Sequence, residues 1–232
     1  MYIYIMHIIN MQKLTKITDG VVVIENCLTI EQQQKLVKII LDYGHLYGED
    51  GKPNFSQTRG RNYSNLDVYG DDSKQYMRNI CEDTMKLVRE ADKSIPESDV
   101  THLLTIYYVT NKGMGWHADD GENDGDHDSP VISFTLGNSC IFDYKINDVA
   151  HSTQLNSGDV IIFGGPQRMM YHRVRKCIKG TSPQDLKLDD VRINLTFRQA
   201  KSVIGNEEKF STSNYLSRLK EKYDKKNNND NQ

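Results

Sequence analysis

Short runs of β-branched and aromatic residues recur through the second half of this 232-residue chain. Glycine, asparagine and serine separate the runs, as the turns do in proteins that are built from many short strands. We predict strands at Leu103–Val109, Val131–Leu136, Cys140–Tyr144, Val160–Phe163, Met169–Val174 and Val191–Arg198. Strands of this number and spacing are typical of a β-sandwich or a β-barrel.

The first half of the chain has a mixed pattern. The β-branched run Val21–Ile24 predicts a strand, and apolar residues at helical spacing predict a helix over Thr29–Leu41. Thr29 followed by Gln32 has the form of a capping box, which marks the start of that helix. A second amphipathic helix is predicted over Ser73–Asp92. Residues 44–72 are rich in Gly, Asn, Asp and Tyr and predict loops.

Composition limits the classes of function that remain. The chain has 29 Lys and Arg against 32 Asp and Glu, a net charge of −3, which excludes a globally basic binder of the histone type. Its four cysteines are far apart in sequence and indicate reduced intracellular thiols. We find neither a signal peptide nor a membrane-length apolar run, so we expect an intracellular protein in the cytoplasm and/or nucleus. Residues 201–232 are polar, and we expect a C-terminal tail with a disordered end.

One candidate metal site is visible in the sequence. His117 and Asp119 stand two positions apart, so on a strand they would face the same side. His172 is a third ligand from elsewhere in the chain, and two imidazoles with one carboxylate form the facial triad of Fe(II) oxygenases. The alternative is an ordinary strand histidine that hydrogen-bonds to a nearby carboxylate.

A second constellation lies on the last predicted strand, Val191–Arg198. Arg192, Asn194 and Arg198 share one face of it with a threonine, and the opposite face is apolar. Such a polar face normally meets water. Two guanidinium groups and an amide on one face are also a means of binding a small dicarboxylate, because arginine matches carboxylate geometry.

Together these motifs resemble the AlkB-like Fe(II)/2-oxoglutarate dioxygenases. The resemblance covers residues of about 100–200 and depends most on the closing pattern R-x-N-x-T-F-R. In chain order, the matching segments are Trp116–Asp119, Pro130–Gly137, Ile141–Phe142, Ser157–Val160, Gly164–Gly165, Tyr171–His172 and Arg192–Gln199. The resemblance implies a mainly β fold with flanking helices (α+β), whose core is a double-stranded β-helix, or jelly-roll. It places this core at residues 96–200, with residues 1–95 supplying helices, a strand and substrate-recognition loops packed on it.

The resemblance also implies roles for particular residues. His117, Asp119 and His172 would ligate Fe(II), and Tyr108, Arg192, Asn194 and Arg198 would anchor 2-oxoglutarate, with O₂ as the second cosubstrate. Many family members have an asparagine two positions before the residue that matches Tyr108, whereas this chain has Ile106. The implied reaction is oxidative demethylation of nucleobases of the 1-methyladenine or 3-methylcytosine type, with release of formaldehyde, succinate and CO₂. DNA alkylation repair is the favoured setting.

Substrate contacts are predicted in two segments. Arg59, Arg61 and Tyr63 combine basic and aromatic side chains in a predicted polar loop, which suits contact with phosphate and base. Asp120 and Glu122 lie in an acidic segment after Asp119 and are candidates for contact with the base. That segment also resembles the start of a calcium loop, although its twelfth position is not the required glutamate, and a solvated acidic loop is the plainer interpretation. Trp116 is interpreted as core packing.

Other functions remain open at this point. The same chemistry could act on RNA, on tRNA bases or on a protein side chain. A non-catalytic jelly-roll binding module would also fit the strand pattern, although it has no need for a complete set of metal and cosubstrate ligands. We expect a monomer that binds alkylated DNA or RNA and has no membrane partner.

Overall fold

A computed structural model describes residues 12–55, 60–109, 111–119 and 129–200 of the chain. The two α-helices of this part are α1 (Ile30–Gly44) and α2 (Asp71–Ala91). Its strands are β1 (Lys13–Thr18), β2 (Val21–Glu25), β3 (Arg61–Asn65), β4 (His102–Tyr108), β5 (Lys112–His117), β6 (Val131–Gly137), β7 (Ser139–Ile146), β8 (Val149–Leu155), β9 (Val160–Phe163), β10 (His172–Ile178) and β11 (Arg192–Arg198). None of the helices described is long and apolar enough to span a bilayer.

The strands form two antiparallel sheets. The major sheet has seven strands in the order β1-β2-β9-β6-β11-β4-β3, and the minor sheet has four in the order β5-β10-β7-β8. One apolar cluster lies between the helices and the major sheet, and a second lies between the two sheets. This is the jelly-roll architecture with flanking helices that the sequence predicted. Strands β1, β2 and β3 come from residues 1–95 and are hydrogen-bonded into the major sheet.

The helices begin and end where local signals predict. The Thr29 hydroxyl accepts a hydrogen bond from the Gln32 backbone N–H at 3.2 Å, and the Gln32 side chain accepts one from the Thr29 backbone N–H at 2.9 Å. This capping box satisfies donors that the first turn of a helix leaves unpaired. The first helix continues to Gly44, and His45 ends it in the left-handed conformation. The second begins at Asp71, directly after Gly70.

The strand β11 separates the two apolar clusters. Ile193, Leu195 and Phe197 are fully buried on the helix side, where Phe197 meets Phe134 edge-to-face with ring centroids 5.9 Å apart. The alternate residues of β11 face the minor sheet. Because both faces are covered, the polar face of β11 does not meet water, which corrects the ordinary expectation for an alternating strand.

The predicted strands differ from the observed ones mainly at sheet edges. The strands β1, β3, β5 and β8 are absent from the predicted set, and each is an edge strand of its sheet. The segment of Arg61 and Tyr63, predicted as loop, is the edge strand β3. Strand β10 begins at His172 rather than at Met169, because the chain first makes a turn at Gly165–Gln167. The predicted tail lies outside the described residues.

Candidate active site

Two histidines meet across neighbouring strands of the minor sheet. His117 ends β5, His172 begins β10, and the two residues are register partners whose ring centroids lie 4.4 Å apart. Asp119 is not on a strand, contrary to the prediction, because β5 ends at His117 and the chain bends before the carboxylate. Its Oδ1 lies 3.7 Å from His117 Nε2 and 3.8 Å from His172 Nε2.

Both imidazoles are oriented by backbone carbonyls. His117 Nδ1 lies 2.8 Å from the Gly115 carbonyl oxygen, and His172 Nδ1 lies 2.9 Å from that of Met170. A carbonyl only accepts, so each Nδ1 carries the proton and each Nε2 presents its lone pair to the common centre. Burial lowers the pKa of His172, which favours the neutral form that a metal requires.

Two arginines fix Asp119. Arg198 Nη2 lies 2.7 Å from Asp119 Oδ2, and Arg168 Nη1 donates to the Asp119 carbonyl oxygen at 2.8 Å. Burial of the Asp119 carboxyl raises its pKa, but the Arg198 guanidinium, with smaller effects from the nearby histidines and Arg168, outweighs burial and holds the pKa below its ordinary value. The carboxylate is therefore ionised and available as a ligand.

Arg168 is a site residue that the sequence analysis missed. It is buried, and its Nε also donates to the Ser129 carbonyl oxygen at 2.6 Å. One guanidinium group thus joins the two residues that precede and follow residues 120–128. A single arginine in a turn after β9 matches none of the motifs we recognised, so the sequence offered no signal for it.

This donor set suits a divalent transition metal. The three candidate ligand atoms all lie within 4.8 Å of one another, and they belong to two imidazoles and one carboxylate. These are the ligand types of the facial triad, which leaves further positions open on one side of Fe(II). The carbonyl groups behind both imidazoles and the guanidinium beside Asp119 are the outer contacts that orient metal ligands.

The polar face of β11 borders the same site. Arg192 is fully buried, and its Nη2 donates to Thr135 Oγ1 at 3.0 Å and to Asn194 Oδ1 at 2.8 Å. Its Nε and Nη1 have no hydrogen-bond partner among the described residues, and it forms no ion pair with any of them. A buried guanidinium without an anion is costly, so this position calls for an anionic ligand.

Tyr108 lies against that guanidinium. Its ring centroid is 4.9 Å from Arg192 Cζ, and its buried hydroxyl has no hydrogen-bond partner in the part of the chain described. Burial raises the pKa of Tyr108 to about 12, so the hydroxyl is protonated and can donate. A hydroxyl and a guanidinium with unused donors, close to a metal site, form the donor set that a dicarboxylate requires.

A pocket between the sheets joins these features. It is partly open to solvent, and both histidines, Asp119, Tyr108 and Arg198 line it. The rest of its lining is mainly apolar and includes Ile106, at the position where many family members have asparagine. The pocket thus brings the candidate metal ligands into one space with Tyr108, whose ring lies against Arg192.

The predicted substrate residues divide into two groups. Arg61 lines the pocket, and Tyr63, two residues further along β3, stacks on His102 with ring centroids 5.3 Å apart. Arg59, Asp120 and Glu122 lie outside the described residues, as does the segment that resembles a calcium loop. Trp116 is not core packing as predicted, because it is only half-buried and stacks on the exposed ring of Tyr171.

Comparisons with known proteins agree with this geometry. The family model described as "2OG-Fe(II) oxygenase superfamily" matches residues 20–198. The DNA N(6)-methyladenine demethylase ALKBH1C of Arabidopsis thaliana is 38% identical over 105 residues, which are 41% of this chain and 23% of that protein. The alpha-ketoglutarate-dependent dioxygenase AlkB of Escherichia coli is 34% identical over 108 residues, 45% of this chain and 48% of that protein.

Solved structures add a similar result. The structure of OsALKBH1 superposes with a TM-score of 0.62 at 25% identity and covers 81% of this chain and 100% of that one. A Pseudomonas putida prolyl-4-hydroxylase shares the fold, with a TM-score of 0.52 at 14% identity over 80% of this chain and 95% of the other. The chain spans less than half the length of the two curated relatives named above. It belongs to the 2OG-Fe(II) oxygenase superfamily, as an AlkB-like member whose cofactor is Fe(II) and whose cosubstrates are 2-oxoglutarate and O₂.

Proposed function

We propose that this chain is an Fe(II)- and 2-oxoglutarate-dependent demethylase of N-alkylated nucleobases in DNA or RNA, with DNA alkylation repair as the favoured setting. The observation that carries the proposal is the cluster of His117, Asp119 and His172, together with the unpaired buried charge of Arg192 on β11. The names of the relatives support the substrate class, because one is a DNA N(6)-methyladenine demethylase and another is AlkB.

The three clustered side chains would hold the metal. His117 and His172 present Nε2 because their Nδ1 atoms donate to backbone carbonyls, and Asp119 presents Oδ1 while Arg198 holds Oδ2. Bound Fe(II), with O₂ and 2-oxoglutarate, supplies the oxidising power that removes a methyl group as formaldehyde and leaves succinate and CO₂. The apolar side chains in the pocket lining would limit the access of water to the reacting atoms.

The two arginines of β11 would bind opposite ends of 2-oxoglutarate. Arg198 is beside the metal ligand Asp119, which suits the carboxylate nearest the metal. Arg192 has free donors at the far end of the strand, where Tyr108 adds a hydroxyl, so this end suits the distal carboxylate. Asn194 holds Arg192 in place through its Oδ1.

The methylated base would enter past β3. Arg61 lines the pocket on the same side as Arg198 and can contact a phosphate or a base edge, and Tyr63 stands two residues along the same face. Arg59, Asp120 and Glu122 stay candidates for contacts with the substrate. An enzyme of this kind must act on a single strand or on a flipped base, because a stacked base cannot reach an enclosed pocket.

The substrate test below also covers other substrates and roles, which we favour less than DNA alkylation repair. The alternatives are bases of RNA or tRNA, a protein side chain, and a non-catalytic jelly-roll binding module. We also propose a monomer in the cytoplasm and/or nucleus, and the four cysteines, all buried and without disulfides, support a reducing compartment. Size-exclusion chromatography with light scattering tests the oligomeric state.

A substrate panel tests the proposed function. Single-stranded DNA, duplex DNA, RNA and tRNA that carry 1-methyladenine, 3-methylcytosine or N6-methyladenine are incubated with Fe(II) and 2-oxoglutarate. Formaldehyde and the restored base are both measured, and the His172→Ala variant is the control for metal-dependent turnover. We expect stoichiometric formaldehyde and base restoration on at least one methylated nucleic acid. No turnover on any of them, in protein that binds Fe(II) and 2-oxoglutarate, would contradict the proposal.

A further inference from the structure

The outer side of the minor sheet is strongly basic. Its four strands carry five cations against one carboxylate, Asp143, although the whole chain has a net charge of −3. The cations are Lys112, Lys145, Arg173, Arg175 and Lys176. On β7, Asp143 and Lys145 alternate with the inward-facing Phe142 and Tyr144, so they point away from the pocket.

Two aromatic rings lie at one end of this outer side. Trp116 and Tyr171 are parallel within 2°, with ring centroids 5.9 Å apart, and Tyr171 is 45% exposed. Two cations stand over the pair. Arg173 Cζ lies 4.6 Å from the Trp116 centroid, and Lys145 Nζ lies 5.3 Å from Trp116 and 5.6 Å from Tyr171. We call Trp116, Tyr171, Lys145 and Arg173 the aromatic–basic patch.

The aromatic–basic patch is next to the metal site through the backbone. Trp116 precedes His117 on β5, and Tyr171 directly precedes His172, the first residue of β10. The two histidines are register partners, so the aromatic pair is at the same end of the sheet as the candidate metal centre. A polymer whose reacting unit is in the pocket therefore has its neighbouring units close to this patch.

The charges of the patch favour an anionic partner. Asp143 binds Arg173 at 2.7 Å and also pairs with Arg175, whereas Lys145 forms no ion pair with any described residue. Among the described residues, one carboxylate cannot neutralise three cations, so these residues leave a net positive charge beside the two rings. Exposed rings flanked by cations are what binds single-stranded nucleic acid, where bases stack and phosphates meet lysine or arginine. An acidic protein partner would use the cations but has no base to stack on Tyr171.

We propose that the aromatic–basic patch binds the single-stranded flank of the substrate, with an unpaired base against Tyr171 and phosphates near Lys145 and Arg173. This inference rests on the proposed function, because it takes the nucleic acid in the pocket and the strand on the patch to be one molecule. It assigns part of substrate binding to the minor sheet, apart from β3.

The sole tryptophan of the chain makes the binding directly measurable. Trp116 is the only tryptophan, so its fluorescence reports on the patch without labelling. The full chain is titrated with unmethylated oligodeoxythymidylate of about 12 nucleotides, within the usual size range of single-strand sites. We expect the emission of Trp116 to change on saturable binding that weakens with salt. Lys145→Gln should reduce the slope of log K against log salt by about 0.7, the value for one phosphate contact on a single strand.

Variants separate stacking from folding. Tyr171→Ala should weaken binding roughly 5- to 150-fold, the range for loss of one stacked base, whereas Tyr171→Phe keeps the ring and should bind like wild type. Tyr76→Ala is the matched control, because Tyr76 on α2 also carries a lysine, Lys35 Nζ, at 3.8 Å from its ring centroid, but outside the minor sheet. This control should bind the oligonucleotide as wild type does.

The outcomes distinguish this inference from the proposed function. Oligonucleotide binding that Tyr171→Ala weakens supports the patch even if no methylated substrate is turned over, in which case only the proposed function fails. The opposite result is also informative. If the wild-type protein turns over methylated DNA, but Tyr171→Ala and Lys145→Gln bind the oligonucleotide as tightly as wild type, the patch proposal is overturned and the proposed function stands. Equal affinity for poly-glutamate and for the oligonucleotide would also overturn it, because it would show a partner chosen by charge alone.

Discussion

Replacement of Arg192 by methionine separates ligand binding from folding. Methionine has a similar length without the charge, and Arg192 is fully buried with Nε and Nη1 unpaired among the described residues. In the ligand-free protein, the change leaves Thr135 Oγ1 and Asn194 Oδ1 without one donor each, at a cost of about 1–3 kcal/mol per acceptor. It also removes an uncompensated buried charge, whose penalty is several kcal/mol. These contributions are similar in size and opposite in sign, so ligand-free stability should be unchanged or slightly higher.

The effect on 2-oxoglutarate should be much larger. Loss of one partner of a buried, hydrogen-bonded charge pair costs about 2–5 kcal/mol, which corresponds to at least 30-fold in affinity. At a ligand concentration of about 100 times its Kd, wild type gains about 2.7 kcal/mol, or roughly 5–11 °C in Tm for a domain of this size. At the same concentration, the shift for Arg192→Met should be about 3 °C or less.

Thermal unfolding with Mn²⁺ in place of Fe(II) measures both effects without turnover. Pyruvate is the matched ligand control, because it keeps the 2-oxo acid but lacks the distal carboxylate, and it should shift both proteins by the same small amount. The reasoning is refuted if Arg192→Met loses ligand-free stability by about 3 kcal/mol or more and keeps the full 2-oxoglutarate shift. That result would mean that the charge of Arg192 is balanced within the protein and serves folding.

Four further changes have defined outcomes. His172→Ala should abolish saturable one-to-one Fe(II) binding in an anaerobic titration, and unchanged stoichiometry would remove His172 from the metal site. Arg198→Ala should raise the 2-oxoglutarate concentration for half-maximal binding by about ten-fold or more, since a charge-assisted contact is lost, measured by isothermal titration calorimetry. Arg168→Lys should weaken metal binding about 10- to 100-fold in a chelator competition, the usual effect of losing an outer contact to a ligand, with little change in Tm. The Arg175 guanidinium lowers the pKa of Asp143 from 3.8 to about 2. The ionised Asp143 therefore stabilises the fold above about pH 4, and this contribution is lost as the pH falls towards 2. The difference in Tm between wild type and Asp143→Asn should shrink over that pH range.

Central strands could be predicted from the sequence, whereas edge strands could not. The central strand β9 is buried on both faces, and its residues form a continuous apolar run. The edge strands β1 and β8 have one free side and expose most of their residues, and their polar sequences resemble loops. Local capping signals located α1 because they act within a few residues, whereas membership of a sheet edge depends on partners far along the chain.

The candidate site residues could be predicted from the sequence where they belong to a short motif. The spacing of His117 and Asp119 pointed to two of the candidate metal ligands, although the geometry differs, because Asp119 is reached through a bend rather than along a strand. Arg168 could not be found, since its role depends on two backbone carbonyls that are distant in sequence. Trp116 was misplaced because the face of β5 opposite the inward-facing His117 is the outer face of the minor sheet and not part of the core.

The contacts of Arg168 have a consequence for how substrate preference can change. Its guanidinium binds the carbonyl groups of Asp119 and Ser129, the described residues on either side of residues 120–128. Because Arg168 holds the backbone at Asp119 and at Ser129, a change of sequence between them should leave the position of the Asp119 carboxylate unaltered. We expect exchange of residues 120–128 for segments of other charge or length to alter which substrates are accepted while metal affinity stays the same. That outcome would separate substrate selection from metal binding along the chain, with buried Arg168 at the boundary.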